Sequence, residues 1–188
     1  LSEYLENGKT FSIPVAKEII NGVLLGLSYL HSLGLNHNDL TPRNIILEEV
    51  GRDKYTPRII DLGHLCPSVG GAPPFPVNDL NLLYCAPEAL AGIFESAGDT
   101  FSAASVLYTM LCGKAPWECA ISDEENYTDR KKKVRSARKE ALNTSALTSI
   151  GADDQFISLI EAGLSQDQDS RLSLDDFEYK TRILDFPI

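Results

Sequence analysis

The sequence His37-Asn38-Asp39-Leu40-Thr41-Pro42-Arg43-Asn44 decides how the rest of the chain is interpreted. It places an asparagine five residues after an aspartate, and Asp61-Leu62-Gly63 follows after a short apolar stretch. An aspartate carboxylate can orient a hydroxyl nucleophile. An asparagine and a second aspartate supply hard oxygen ligands that hold Mg²⁺ against phosphates. The pattern therefore predicts a phosphoryl-transfer site built from Asp39, Asn44 and Asp61.

The length and composition are those of an ordinary folded domain. With 188 residues, 43% hydrophobic and 23% charged, the chain can bury one good core, and we expect one domain over residues 1–188. We find no secretory signal and no apolar run near the roughly 20 residues that span a bilayer, so we expect no membrane partner. The first residue is leucine, which suggests a fragment of a longer chain.

Charge and cysteine spacing exclude other classes of function. The net charge is −10, which argues against nucleic acid as a partner because a phosphate backbone needs a basic surface. The cysteines have no C-x-x-C spacing and no nearby histidine pair, which excludes a typical zinc site. We expect four free thiols in a reducing, cytoplasmic (intracellular) compartment. They are Cys66, Cys85, Cys112 and Cys119.

The periodicity of apolar residues predicts a mainly α fold (α+β) with small β-hairpins. Helices are predicted at residues 1–6, 13–32, 87–91, 100–112, 153–164 and 174–184. Short apolar runs at 44–47 and 57–60 predict a hairpin joined by a longer loop that contains Gly51-Arg52-Asp53. Residues 64–84 contain four prolines and Gly70-Gly71, and we expect them to be irregular.

Seven of the 17 basic residues fall within ten positions. They are Arg130, Lys131, Lys132, Lys133, Arg135, Arg138 and Lys139. Such a run is either a solvated helix face or loop, or a docking patch for an acidic partner or phosphorylated peptide.

Further motifs follow in a fixed order along the chain. They are Ala86-Pro87-Glu88, the segment beginning Asp99-Thr100-Phe101, and the segment Asp169-Ser170-Arg171. Together with residues 37–44 and 61–63, they resemble the C-terminal lobe of eukaryotic-type protein kinases over nearly the whole chain. The resemblance implies a helical lobe with residues 37–44 as catalytic loop and residues 61–88 as activation segment. It also implies a buried ion pair between Glu88 and Arg171, and a structural role for His37.

The resemblance also assigns roles at the site. Asp39 would orient the hydroxyl of a protein serine or threonine, and Arg43 would replace a lysine that neutralises the transferring phosphate. Asn44 and Asp61 would hold the Mg²⁺ of bound ATP, and Ile46 would form the apolar floor under the adenine.

The sequence departs from the family pattern at several positions. Asn38 stands where many kinases have an arginine that pairs with a phosphorylated activation segment. Thr41 stands in place of the lysine, and Asn81 in place of a threonine that positions the peptide. The 36 residues before His37 contain neither a glycine-rich loop nor a strand lysine. We therefore expect the chain alone to be inactive and to bind ATP weakly or not at all.

Three interpretations remain open from the sequence. The first is a protein kinase C-terminal lobe completed by an N-terminal lobe, in cis or in trans, that acts on protein substrates. The second is a non-catalytic, pseudokinase-type binding or scaffold module. The third, a small-molecule phosphotransferase of the aminoglycoside-kinase type, is disfavoured by Ala86-Pro87-Glu88, Asp99 and Arg171. In each kinase interpretation, apolar surface is exposed where the other lobe would sit, and self-association through that face is possible.

Overall fold

The computed structural model describes residues 1–68, 73–119, 121 and 125–184, and the predicted Gly70-Gly71 turn lies outside them. Within these residues the chain is mainly helical, as predicted. The helices are α1 Ser2–Glu6, α2 Ile13–Ser32, α3 Ser96–Cys112, α4 Tyr127–Ala137, α5 Ser145–Ser149, α6 Asp154–Gly163 and α7 Leu174–Ile183. The strands are β1 Leu35–Asn36, β2 Ile45–Gly51, β3 Lys54–Ile59 and β4 Cys66–Pro67. Short 3₁₀ turns occupy Pro42–Asn44, Val77–Asp79 and Ala89–Ala91.

Helix α2 forms where the periodicity predicted it. Pro14 lies in its first turn, where a missing N–H is not needed, and Gly34 adopts a positive φ of 73° just after its end. One face of the helix is buried, and it includes Ile19, Leu24 and Leu27 at complete burial. Helix α2 therefore packs on the core through one apolar face, as expected for an amphipathic helix.

We expected no segment that is long and apolar enough to span a membrane. One helix contradicts this expectation. By length and composition alone, α2 (Ile13–Ser32) meets that requirement. This is weak evidence for a span, because the core helix of a folded domain passes the same test. Its apolar face packs on α3, α7 and β3 in this structure.

The hairpin of β2 and β3 was predicted, but its loop was not. The antiparallel ladder runs from Ile45 opposite Ile59 to Gly51 opposite Lys54, so only Arg52 and Asp53 form the turn. The predicted longer loop was wrong because the polar residues on both sides of the turn belong to extended, solvent-facing strands. A second antiparallel pair, β1 with β4, joins the start of the catalytic loop to the segment after Asp61.

Helix α3 forms the centre of the core. It is buried on all sides from Asp99 to Leu111, which explains its nearly continuous run of small and apolar residues. Helices α2, α6 and α7 pack around it. Helix α6 approaches α3 and α7 closely at Gly163, the last residue of α6. A Cβ atom there would lie 2.8 Å from Ala104 Cβ and 2.7 Å from Phe177 Cε2.

Replacing Gly163 with alanine is expected to lower the free energy of unfolding by about 1–3 kcal/mol, because the added methyl group overpacks the contact of α6 with α3 and α7. Gly98→Ala is the matched control. Its Cβ would meet Ala86 Cβ and Glu88 Oε1 at 3.7 Å, ordinary contact distances. In helix α3 this control is expected to be neutral or to stabilise the chain by up to about 1 kcal/mol. Denaturant titrations of both variants check this, and equal effects would contradict it.

Burial also explains the state of the cysteines. Cys66, Cys85, Cys112 and Cys119 are all free thiols, as predicted. Burial raises the pKa of Cys85 to about 11, and it also raises the pKa values of the other three. Thiols with raised pKa values are poor nucleophiles, so none of the four fits a catalytic role.

Candidate active site

The loop that carries Asp39 is held by a buried carboxylate on α3. Asp99 is completely buried, and it accepts the backbone N–H groups of His37 and Asn38 at 2.8 Å each. The Nε2 atom of His31, on α2, lies 2.8 Å from the same carboxylate. Asp99 therefore satisfies three groups at once and fixes the start of the catalytic loop against the core.

Asn38 connects this loop to the segment after Asp61. Its φ of 65° is a left-handed conformation that asparagine tolerates better than most residues. Its side-chain amide donates to the carbonyls of Asn36 and His64, at 3.1 and 2.9 Å, and lies 3.0 Å from Cys66 Sγ. The resemblance to protein kinases predicts an arginine at this position. Here the short, neutral amide of Asn38 instead makes a permanent link between the loop and the segment after Asp61.

The carboxyl group of Asp39 lies in a partly closed environment. Asn44 Nδ2 donates to both the Asp39 carbonyl, at 2.7 Å, and Asp39 Oδ2, at 2.8 Å. Burial raises the pKa of Asp39, and the neighbouring His64 and the Asn44 amide offset this in part. A partly buried carboxyl with a raised pKa and a fixed orientation is typical of functional sites.

The hairpin brings Asp61 next to Asn44. The Ile60 N–H donates to the Asn44 carbonyl at 2.9 Å, which extends the β2–β3 ladder by one step. Asp61 follows in a left-handed conformation with a φ of 62°, and its Oδ1 accepts the N–H of Gly63 at 3.2 Å. A non-glycine residue in this conformation is strained, and such strain concentrates at functional sites.

The oxygens of these two residues fit a magnesium ion. The Asn44 amide nitrogen is committed to Asp39, and its Oδ1 takes part in no hydrogen bond within the described part of the chain. Asp61 is exposed and forms no ion pair with a described residue. Mg²⁺ prefers one or two such ligands completed by phosphates and water. No group of three or more histidine, cysteine, aspartate or glutamate side chains that could hold a metal ion occurs among the described residues.

A cleft of about 550 Å³ opens beside Asp39, a size usual for a ligand site. Asp39, Arg43 and Asn44 line one part of it, and residues 78–84 line another. Arg43 is exposed and forms no ion pair within the described ranges, so its charge is available to the cleft. Ile46, the predicted adenine contact, does not line this cleft and is 49% exposed on β2.

The predicted ion pair beneath the activation segment is confirmed. Arg171 Nη1 lies 2.5 Å from Glu88 Oε1, and Arg171 Nη2 lies 2.9 Å from Glu88 Oε2. Arg171 also donates to the carbonyls of Ser165 and Ala97, and its guanidinium lies 5.1 Å from the ring centre of Phe101. This bidentate geometry fixes the end of the activation segment to the core.

The basic run at 130–139 is not a single solvated patch. Arg138 is buried, and its Nη2 donates to the carbonyls of Leu82 and Cys85 at 3.0 and 2.8 Å. Lys131 donates to the carbonyl of Leu90. Part of the run therefore holds the activation segment in place. The interpretation of the whole run as exposed was wrong, because its α4 helix packs one side against that segment.

Sequence reasoning missed three residues of the site region. The first is the carboxylate of Asp99, which was taken only as the start of a buried helix. The second is Arg138, which nothing in its sequence context distinguishes from its basic neighbours. The third is His64, whose Nδ1 lies 3.8 Å from Asp39 Oδ2 and whose ring stacks edge-on against Phe75. Only the proximity of His64 to Asp39 in space reveals it, because 25 residues separate them.

Comparison with known proteins agrees with this geometry. Residues 1–180 match the model of the protein kinase domain family. The chain is 28% identical over 195 residues to "Probable serine/threonine-protein kinase fhkA" of Dictyostelium discoideum, covering 85% of this chain and 30% of that protein. It is 30% identical over 193 residues to "Probable serine/threonine-protein kinase KCC4" of Saccharomyces cerevisiae, covering 93% of this chain and 17% of that protein.

Solved structures show the same fold. The Rad53 kinase domain with SCD2, in complex with AMPPNP, superimposes with a TM-score of 0.69 at 18% identity, covering 95% of this chain and 63% of that one. The kinase PK-1 of Cydia pomonella granulovirus gives a TM-score of 0.74 at 22% identity, covering 94% and 61%.

The fold is that of a protein kinase-like domain. The match of the family model over residues 1–180 shows that the chain belongs to the protein kinase family. The chain spans less than a third of the length of the two curated relatives and about three fifths of the two solved structures.

Proposed function

We propose that this chain is the C-terminal lobe of a serine/threonine protein kinase, with residues 37–44 as catalytic loop and residues 61–88 as activation segment. In this proposal it transfers a phosphoryl group from ATP to a protein hydroxyl when an N-terminal lobe completes the cleft. One observation carries the proposal. Asn44 holds Asp39 with two hydrogen bonds, one to its backbone carbonyl and one to its carboxylate, while the β2–β3 ladder brings Asp61 beside Asn44.

Each residue has a separate task in this mechanism. Asp39 accepts a hydrogen bond from the acceptor hydroxyl and orients its oxygen toward the phosphate. Asn44 Oδ1 and Asp61 would hold Mg²⁺, which neutralises phosphate charge when it is bound with ATP. Arg43 faces the same cleft and would stabilise the additional negative charge of the transferring group. Burial raises the pKa of Asp39, which strengthens its carboxylate as an acceptor for the hydroxyl proton.

The requirement for a second lobe rests on exposed surface. Ile46, Ile60 and Leu62 surround the Asn44–Asp61 region and are 49, 38 and 52% exposed. Apolar residues in such numbers favour a covering partner. We propose that this partner is an N-terminal kinase lobe, in cis or in trans, and that self-association through the same face competes with it.

Without that lobe, water enters the site and the electrostatic stabilisation of a transition state is weak. The chain alone is therefore proposed to be inactive, to bind ATP only weakly, and to reside inside the cell, in keeping with its four free thiols. The alternative, a pseudokinase-type scaffold module, is favoured by Asn38 and Thr41. Both are buried, neutral residues at positions where the family pattern has cationic side chains.

The experiment that tests this proposal is the thermal unfolding of the chain with Mg²⁺ and ATP, compared with Mg²⁺ alone. With a Kd on the order of 1 mM, about 10 mM Mg·ATP adds roughly 1.4 kcal/mol and raises the Tm by about 2–5 °C. Asp61→Asn is expected to abolish this shift, because it removes the anionic ligand for Mg²⁺.

Asp53→Asn is the matched control, because Asp53 is an exposed aspartate in the β2–β3 turn, also with a positive φ. It should keep the full shift. A wild-type chain that shows no shift at 10 mM, or a shift that persists in Asp61→Asn, would favour the scaffold alternative. Phosphorylation of a protein substrate by the chain alone would contradict the requirement for a second lobe.

A further inference from the structure

Within the part of the chain that the structure describes, Arg130 has no partner that explains its position. Its Nε atom is buried without a hydrogen-bond partner, and the guanidinium forms no hydrogen bond or ion pair with any residue that the structure describes. A guanidinium carries five donors and a permanent charge. Burying part of it unpaired is unfavourable, so an anionic ligand that completed its hydrogen bonds would be bound favourably.

Three other cations of the same helix, and Arg138 just after it, are engaged, whereas Arg135 is exposed. Lys132 lies 3.0 Å from Asp129 Oδ1, and Lys133 lies 2.6 Å from Glu125 Oε1. Lys131 and Arg138 donate to backbone carbonyls of the activation segment and the turn after it. Arg130 therefore differs from its neighbours, and membership in a basic run does not account for it.

Arg130 lines the same cleft as Asp39. The cleft is also lined by Arg43, Ile121 and residues 78–84. A peptide that places its hydroxyl at Asp39 would thus extend past residues 78–84 toward the exposed nitrogens of Arg130. The chain offers a cationic group at this end of the cleft even though its net charge is −10.

We propose that Arg130 binds an anionic side chain of the peptide substrate, at a position other than the acceptor residue. This inference rests on the proposed function, because it places the peptide in the cleft at Asp39. Glutamate, aspartate and phosphorylated residues share the required chemistry, since a carboxylate or a phosphate accepts two parallel N–H bonds from a guanidinium. The substrate class that follows is an acidic or previously phosphorylated protein segment.

Two carboxylates in the cleft oppose the binding of an acidic peptide. Asp39 and Asp79 also line the cleft, and Asp79 is exposed without an ion pair among the described residues. Because these groups and the overall negative charge repel an acidic peptide, its binding should depend strongly on Arg130. If Asp79 determined selectivity instead, the cleft would prefer a basic peptide.

The test is the binding of four fluorescent peptides to the chain, measured by polarisation without nucleotide. The peptides share one serine-containing sequence and carry glutamine, glutamate, phosphoserine or lysine at one flanking position, which is scanned across the peptide. At the responsive position, the anionic peptides are expected to bind about tenfold more tightly than the glutamine peptide. Tight binding of both the glutamate and the phosphoserine peptide indicates general recognition of anions. Tight binding of the phosphoserine peptide alone assigns the site to phosphorylated segments.

Arg130→Gln is expected to remove that advantage. Arg135→Gln makes the same charge change on the exposed side of α4 and should retain it, and Asp79→Asn should increase it. Equal effects of Arg130→Gln and Arg135→Gln would overturn the proposal. So would preference for the lysine peptide, or the absence of any binding into the millimolar range.

Failure here can be separated from failure of the proposed function. The peptide measurement uses no nucleotide, and the thermal shift with Mg·ATP uses no peptide. A chain that shows the Asp61-dependent shift but no anionic preference keeps its assignment as a kinase lobe and loses only the proposed substrate class. The Tm of Arg130→Gln, expected to equal that of the wild-type chain or to exceed it, verifies that the variant is folded.

Discussion

Replacing Asp99 with alanine is expected to lower the free energy of unfolding by about 3–6 kcal/mol. The substitution leaves the buried N–H groups of His37 and Asn38 without an acceptor, and it removes the partner of His31. Each buried donor left unsatisfied costs about 1–3 kcal/mol, so the sum is larger than that of an ordinary side-chain truncation. Denaturant titration of the variant measures this loss.

Asp153→Ala provides the control for this result. Asp153 also accepts a backbone N–H, that of Phe156 at 2.8 Å, but it is a single helix cap at the surface. Its loss should cost only about 1 kcal/mol. If Asp99→Ala destabilised the chain no more than Asp153→Ala does, Asp99 would not be the anchor of the catalytic loop. Asp99→Asn should remain destabilising, because an amide can present an oxygen to only one side of the site.

Replacing Arg171 with methionine is the second change with a large expected effect, a loss of about 3–5 kcal/mol. The Arg171 side chain is completely buried and that of Glu88 is 9% exposed. Removing one partner leaves the other as an uncompensated charge in a medium of low dielectric constant. The carbonyls of Ser165 and Ala97 also lose a donor.

Two further variants separate the ion pair from simple packing. Arg58→Met removes an exposed ion pair with Glu48, whose N–O distance is 2.8 Å, and should cost at most about 1 kcal/mol. The double variant Arg171→Met/Glu88→Leu should recover part of the loss, because it removes the stranded carboxylate as well. A double variant that is less stable than either single variant would show that packing, rather than charge, determines the effect.

These two anchors act at opposite ends of the functional site. Asp99 holds the loop that carries Asp39, while Arg171 holds the end of the activation segment through Glu88. Asp99 lies on α3, and Arg171 contacts the same helix through the Ala97 carbonyl and the ring of Phe101, whose centre lies 5.1 Å from the guanidinium. The buried central helix therefore positions the site although it contributes no residue to the proposed chemistry.

The local sequence determined most of the secondary structure. Apolar residues at helical spacing in α2, α6 and α7 predicted helices whose ends agree with the structure within about one residue, because one-sided burial leaves a periodic pattern. The ion pair of Glu88 and Arg171 was also predicted, but only by resemblance to a family. No local rule connects two residues that lie 83 positions apart.

The sequence by itself determined which chemistry is available: the order of Asp39, Asn44 and Asp61 specifies oxygen ligands and a carboxylate acceptor at fixed spacing. The tertiary structure alone decided how these groups behave. Burial that raises the pKa of Asp39, the three donors gathered by Asp99, and the engagement of Arg138 with backbone carbonyls all depend on contacts between distant segments. The same holds for Arg130, which has no hydrogen-bond or ion-pair partner among the described residues. The residue type specifies its charge, but packing decides whether a partner lies beside it.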